Sequence, residues 1–150
     1  MTKKIILTGI LVLTLVFGMT VVGCEEKPEM GPLGGTVWTR SASSNTGSGN
    51  GFKTTFTLTF VDSENATYNE SGYTMLNNKK TNVNETSNYT YKYNTPSERK
   101  GVLNPSKGTS GIGIIFQVSV DGKTLTTTSA NTKAGLTSGT WSLKSGSVSK

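Results

Sequence analysis

The chain has no histidine and a single cysteine among its 150 residues. Without histidine, the commonest general base and a leading metal ligand are missing, and one thiol can build neither an internal disulfide nor a thiolate zinc site. A cysteine nucleophile would also lack an imidazole to activate it. Acidic residues are scarce, 9 against 15 basic. The six that lie beyond residue 35, Asp62, Glu64, Glu70, Glu85, Glu98 and Asp121, fall mostly in turn-like sequence. No spacing among them pairs two carboxylates for glycoside hydrolysis. Helical periodicity is absent as well. No stretch repeats apolar residues at helical spacing for three turns, and Gly, Asn, Thr and Ser recur too often for a stable helix. These shortages together predict a non-catalytic, all-β protein with neither cofactor nor metal.

Formal net charge is +6. With Lys3 and Lys4 set aside in the N-terminal segment, 13 basic residues remain against 9 acidic, a net +4. The basic residues are mostly separated and sit in turn-like places such as Lys79, Lys80, Arg99, Lys100 and Lys107. This is solvated loop charge, with no basic helix and no aromatic signature of RNA binding, so nucleic acid is not an expected partner.

The one long apolar run is N-terminal. "MTKKIILTGILVLTLVFGMTVVGC" has two lysines, an apolar stretch from Ile5 to Val22 and a small residue before the cysteine, which are the three regions of a secretory signal. Thr8, Gly9, Thr14, Gly18 and Thr20 interrupt the stretch, and the acidic "EEKPE" follows where a stop-transfer segment would carry Lys or Arg. Val21-Val22-Gly23-Cys24 resembles the lipobox of bacterial lipoproteins. The resemblance implies cleavage between Gly23 and Cys24, a diacylglyceryl group on the Cys24 thiol, and often a further acyl chain on the new amino group. At about 0.8 kcal/mol for each buried methylene, two or three chains anchor a protein for practical purposes permanently. The expected organisation is a signal peptide over 1–23, the lipidated cysteine and a tether over 24–34, and one β domain over 35–150. The expected location is the bacterial cell envelope, anchored in the outer membrane through the acyl chains, with periplasmic and surface-facing display both open.

Alternation with period two dominates after Gly35. In "FKTTFTLTF", Phe52, Phe56, Leu58 and Phe60 alternate with Lys53, Thr55, Thr57 and Thr59. "IGIIFQVSV" places Ile112, Ile114, Phe116, Val118 and Val120 on one face, with Ile115 breaking the polar set. Asp121-Gly122 before "KTLTTTS" predicts a two-residue type I′ hairpin. Further strands are expected near 35–42, 66–71, 72–76, 88–94, 100–104 and 138–144. They give an antiparallel meander of about eight or nine strands. Closure into a small barrel would remove exposed edges, and a β-sandwich is the alternative. The echo between "GGTVW" and "SGTW" raises a pairing of first and last strands with Trp38 and Trp141 at the junction, or simply a repeated way of starting a strand.

The succession of Gly-x-x-Trp in the first strand, "TLTF", a Tyr-rich strand and "FQVSVDGKTLTTT" resembles the lipocalin-like, or calycin-like, domains of small bacterial lipoproteins. That resemblance implies a β-barrel with an interior able to hold a small apolar ligand. Tyr89, Tyr91 and Tyr93 share one strand face, where tyrosine's stacking area and polar tip suit a sugar, a partner or core packing. With Trp38 and Trp141 they are the candidate ligand-binding residues. The expected function is binding of a small apolar or sugar ligand, or of an envelope protein. The alternative is an inhibitor or assembly module that recognises another protein through loops or an open sheet edge.

Overall fold

In a computed structural model of the chain, residues 29–94, 97–106, 113–128, 136 and 138–149 are described. They form eight strands: β1 Val37–Asn45, β2 Gly51–Phe60, β3 Asn65–Leu76, β4 Lys79–Asn94, β5 Lys100–Pro105, β6 Ile114–Val118, β7 Thr124–Thr128 and β8 Gly139–Ser145. Each pairs antiparallel with the next, and β8 returns to β1, closing the meander into a barrel. Gly23 and Cys24 lie outside the described residues, as does Ile112.

Alternation builds the barrel. Trp38, Leu58, Phe60, Tyr68, Tyr91, Leu103, Phe116, Leu125 and Trp141 all point inward and are buried. Each fully buried large side chain contributes about 1.5–3 kcal/mol through removal of apolar surface from water. Outward positions such as Thr57, Thr59, Thr67, Asn69, Thr126 and Thr140 are polar. The wall therefore faces water, the reverse of a membrane-spanning barrel with its apolar outer band. Ile115, half exposed, is the exception on β6.

The barrel is lopsided. Strands β1 to β4 have 9, 10, 12 and 16 residues, whereas β5 to β8 have 6, 5, 5 and 7. The β1–β8 ladder spans only Val37 to Thr39, with a bulge between Val37 and Trp38. Among the described residues closure is thus confined to one half, which we call the narrow end, and the β1–β2 and β3–β4 hairpins overrun it to make a wide end. Leu33 and Val148 pack beneath the core at the narrow end.

Four sequence expectations are corrected. The segments 66–71 and 72–76 form one strand, because Gly72 continues the ladder between Thr54 and Val83 without a break. The Tyr-rich strand begins at Lys79 rather than at residue 88, since "KKTNVNETS" pairs with β3 despite its polar composition. Asp121-Gly122 is not a type I′ pair: only Gly122 has positive φ, at 69°, and its N–H closes a turn onto Ser119 O at 3.0 Å within a longer connection. That geometry leaves Val120 outside the barrel at 81% exposure. The two-residue turn with both positions at positive φ is instead Asn77-Asn78, at 51° and 61°, joining the paired Leu76 and Lys79.

Candidate functional site at the wide end

Two aromatic clusters fill the interior. Near the narrow end Phe60 lies edge-on to Tyr91, with centroids 4.7 Å apart, and 5.4 Å from Phe116, on which Tyr93 stacks at 6.0 Å. The Tyr91 hydroxyl donates to Asp62 O at 2.6 Å. Toward the wide end Phe56 stacks on Tyr68 at 6.3 Å, and Tyr68 lies edge-on to Trp141 at 6.3 Å. Both indole N–H groups are satisfied by buried threonines: Trp38 Nε1 donates to Thr36 Oγ1 at 2.9 Å, and Trp141 Nε1 to Thr127 Oγ1 at 3.0 Å.

Of the residues singled out in the sequence, Trp38, Tyr89, Tyr91 and Trp141 are interior and almost wholly buried, and Tyr93 is half-buried against the core. Across the β1–β8 junction Trp38 faces Leu143. Burial pushes the Tyr91 hydroxyl up to about 12, with the Asp62 carboxylate adding to the effect. Tyr89 and Tyr93 are raised for the same first reason.

Arg40 caps the upper cluster. It follows Trp38 by two residues on β1 and so shares its inward face. Its guanidinium carbon lies 4.5 Å from the Phe56 ring centroid and 5.0 Å from that of Trp141, and Nη1 donates to Ser138 O at 3.1 Å. Gly139 makes this possible, since a Cβ there would collide with the guanidinium. Burial lowers the Arg40 pKa, opposed by its electrostatic interactions with Tyr68 and Glu70. Glu70 Oε2 accepts from the Tyr68 hydroxyl at 3.4 Å, and Glu70 stands directly across the ladder from Glu85. Burial, then Glu70, raises the Tyr68 hydroxyl. The sequence reading missed Arg40, although alternation from Trp38 was enough to place it inside, and it set Glu70 and Glu85 among unpaired, mostly turn-borne carboxylates, whereas they lie within β3 and β4 and face each other.

Beyond this layer the two long hairpins continue. Their tips are tied together: Asn77 N–H donates to Asn50 Oδ1 at 2.7 Å and Asn78 N–H to Gly49 O at 2.9 Å. Outside, Asn69 Nδ2 reaches Asn84 Oδ1, Glu85 O and Thr86 Oγ1, and Lys80 Nζ sits 4.6 Å from the Tyr73 ring centroid. A cleft of about 320 Å³ opens beside Phe52, Tyr73 and Met75 under the Gly- and Asn-rich β1–β2 connection. Among the described residues, β4 from Lys79 to Ser87 has ladder partners on β3 alone, because β5 joins it only from Tyr89 onward. Comparison with protein families, with characterised proteins and with solved structures yields no match.

Proposed function

We propose that this protein is a non-catalytic, lipid-anchored component of the bacterial envelope that recognises a macromolecular partner through the wide end of its barrel. The observation that carries the reading is the overrun of β1–β4 beyond the closed half. It creates a platform of two hairpins locked tip to tip, with one long strand edge that among the described residues is paired on a single side. Such an edge can receive a strand from a partner, the backbone supplying affinity and alternate side chains supplying selectivity. The β4 edge is polar and bears Lys79, Lys80 and Glu85, a composition that discourages indiscriminate edge-to-edge association.

Internal carriage of a small ligand is less well supported. Trp38, Phe60, Tyr68, Phe116 and Trp141 are all buried, and most are in mutual ring contact, so the chain's own side chains occupy the space a lipocalin-like ligand would take. The anchor rests on the lipobox-like Val21-Val22-Gly23-Cys24.

Two measurements test the reading. Metabolic labelling with a fatty-acid probe is expected to mark the wild-type protein and not Cys24→Ser; label on the variant would overturn the anchor. A photo-crosslinking residue at Thr81 is expected to give a discrete product in cells, and one at Thr57 on the barrel wall is not. Equal patterns at both positions, or a stoichiometric small molecule in native mass spectrometry after gentle extraction, would overturn recognition at the wide end.

A further inference from the structure

Among the described residues, the narrow end carries three of the exposed large apolar side chains. The β2–β3 connection presents Val61 and the β6–β7 connection Val120, exposed to 44% and 81%, and Met30 lies beside the barrel entry at 47%. Both connections are built on the same dipeptide, Val61-Asp62 and Val120-Asp121, and in each the aspartate is consumed by its own turn. Asp62 Oδ1 accepts from the Glu64 and Asn65 N–H groups at 2.8 and 2.7 Å, and Asn65 Nδ2 reaches Asp62 Oδ2 at 2.9 Å. Asp121 Oδ1 accepts from the Ser119 hydroxyl at 2.5 Å and the Lys123 N–H at 3.0 Å. Arg99, itself at a positive φ of 49°, stiffens the second turn by donating to Ser119 O and Val120 O at 3.0 and 2.7 Å. The valines are thus held outward by rigid turns whose carboxylates, ionised, are hydrogen-bonded within their own turns.

The chain enters the barrel at this same end. Glu29 O accepts from Ser63 N–H at 2.7 Å, and Pro32 O accepts from Ser149 N–H at 2.9 Å. Only four residues, Glu25 to Pro28, lie between Cys24 and Glu29, which are thus five chain steps apart. Fully extended, these steps reach about 18 Å, so acyl chains on Cys24 would hold the narrow end within that distance of the bilayer. We infer that Met30, Val61 and Val120 form a lipid-facing rim that seats the narrow end on the membrane surface and holds the wide end away from it. The inference rests on the anchoring of Cys24 proposed above. At this end Arg99, Lys100 and Lys123 can meet headgroup phosphates, with the exposed Glu64 and Glu98 of the connections here opposing them.

The test is amine acetylation of the full-length protein in native membranes, read lysine by lysine by mass spectrometry, on wild type and on Val61→Asp/Val120→Asp. Both positions are exposed, so the variant is expected to fold normally, and its far-ultraviolet circular dichroism checks this. Lys100 and Lys123 are expected to react severalfold more slowly, relative to Lys79 and Lys80 at the wide-end tip, in wild type than in the variant. Equal ratios in a protein that takes up the fatty-acid label would overturn the seating while leaving the anchor intact. A protein that takes up no label would overturn both. Protection that survives in detergent and grows with protein concentration would mean that a second copy covers this face, and would also overturn the seating.

Discussion

The Arg40 guanidinium fills the volume that a side chain on Gly139 would need. Their elements meet across the barrel junction, and the fit ties the interior cation to the "SGTW" sequence of β8. Gly139→Ala is expected to expel the guanidinium from between Phe56 and Trp141 rather than to move backbone. The cost should be about 1–2 kcal/mol, from a lost cation–π contact and a lost hydrogen bond. Arg40→Ala should cost a similar amount. The double variant should then be little worse than Arg40→Ala alone, because the two substitutions remove the same contacts. Urea unfolding of the four proteins checks this, and strict additivity of the two single changes would contradict it.

The buried threonines beneath the two indoles make a second expectation. Thr127→Val keeps shape but leaves Trp141 Nε1 without its acceptor at 3.0 Å and removes a longer hydrogen bond, 3.3 Å, donated to Gly139 O. Thr36→Val removes the acceptor for Trp38 Nε1 and a donor to Leu33 O at 2.6 Å. A buried polar group left unsatisfied costs about 1–3 kcal/mol, so both changes should lower the urea midpoint, Thr36→Val by more. Thr→Ser at either site should recover most of the loss.

How much of this was legible in the sequence follows from what alternation can and cannot carry. It placed Phe56, Leu58, Phe60, Ile114, Phe116 and Val118 on the inner face, because one apolar face per strand is a local property. It failed over residues 79–87, where the inward positions are Thr81, Val83, Glu85 and Ser87: the hairpin has already passed the closed half of the barrel, so no core demands apolar residues there. The Asp-Gly pair misled for a related reason, since Arg99 from another connection braces that turn at Ser119 and Val120. The Asn77-Asn78 pair was readable as a left-handed turn, but only once its flanks are recognised as strands. In the wide-end site, Arg40 was readable from the phase of Trp38. The facing of Glu70 and Glu85 was not, because it depends on a register fixed by that turn.

Glu70 and Glu85 are cross-strand partners on the inner side of the wide end. Like charges so placed repel by about 0.2–1 kcal/mol. Glu85→Gln should therefore raise the unfolding free energy by a few tenths of a kcal/mol, and Glu85→Lys by about 0.5–1 kcal/mol as repulsion becomes attraction. If the wide end docks a partner through this strand, the same variants should keep the fold and weaken the cross-link at Thr81. Chemical denaturation and in-cell cross-linking, run on one pair of variants, separate stability from recognition.

The pH dependence of stability should show a wide plateau with one dominant edge. On the acid side Asp62 and Asp121 are held below their ordinary value of 3.8, chiefly by the Glu64 N–H for Asp62 and the Ser119 hydroxyl for Asp121. A depressed carboxylate adds stability that is present above its unfolded pKa and is lost as pH falls through the folded one, so this loss begins below about pH 4. On the alkaline side the direction reverses. Burial raises Tyr68, Tyr89 and Tyr91 above 10.0, Tyr91 to about 12. Below pH 10 the folded and unfolded chains both keep these phenolic protons, and no stability is lost. Between 10 and 12 the unfolded chain ionises first, and the fold weakens with each unit until the interior tyrosines ionise as it opens. Between the two edges there is no histidine to titrate, so the urea midpoint should be flat from about pH 5 to 9. Tyrosinate absorbance followed through alkaline unfolding should rise together with the loss of β circular dichroism for the three buried rings. A transition near neutral pH, or buried tyrosines that ionise well before the sheet melts, would contradict this account of the interior.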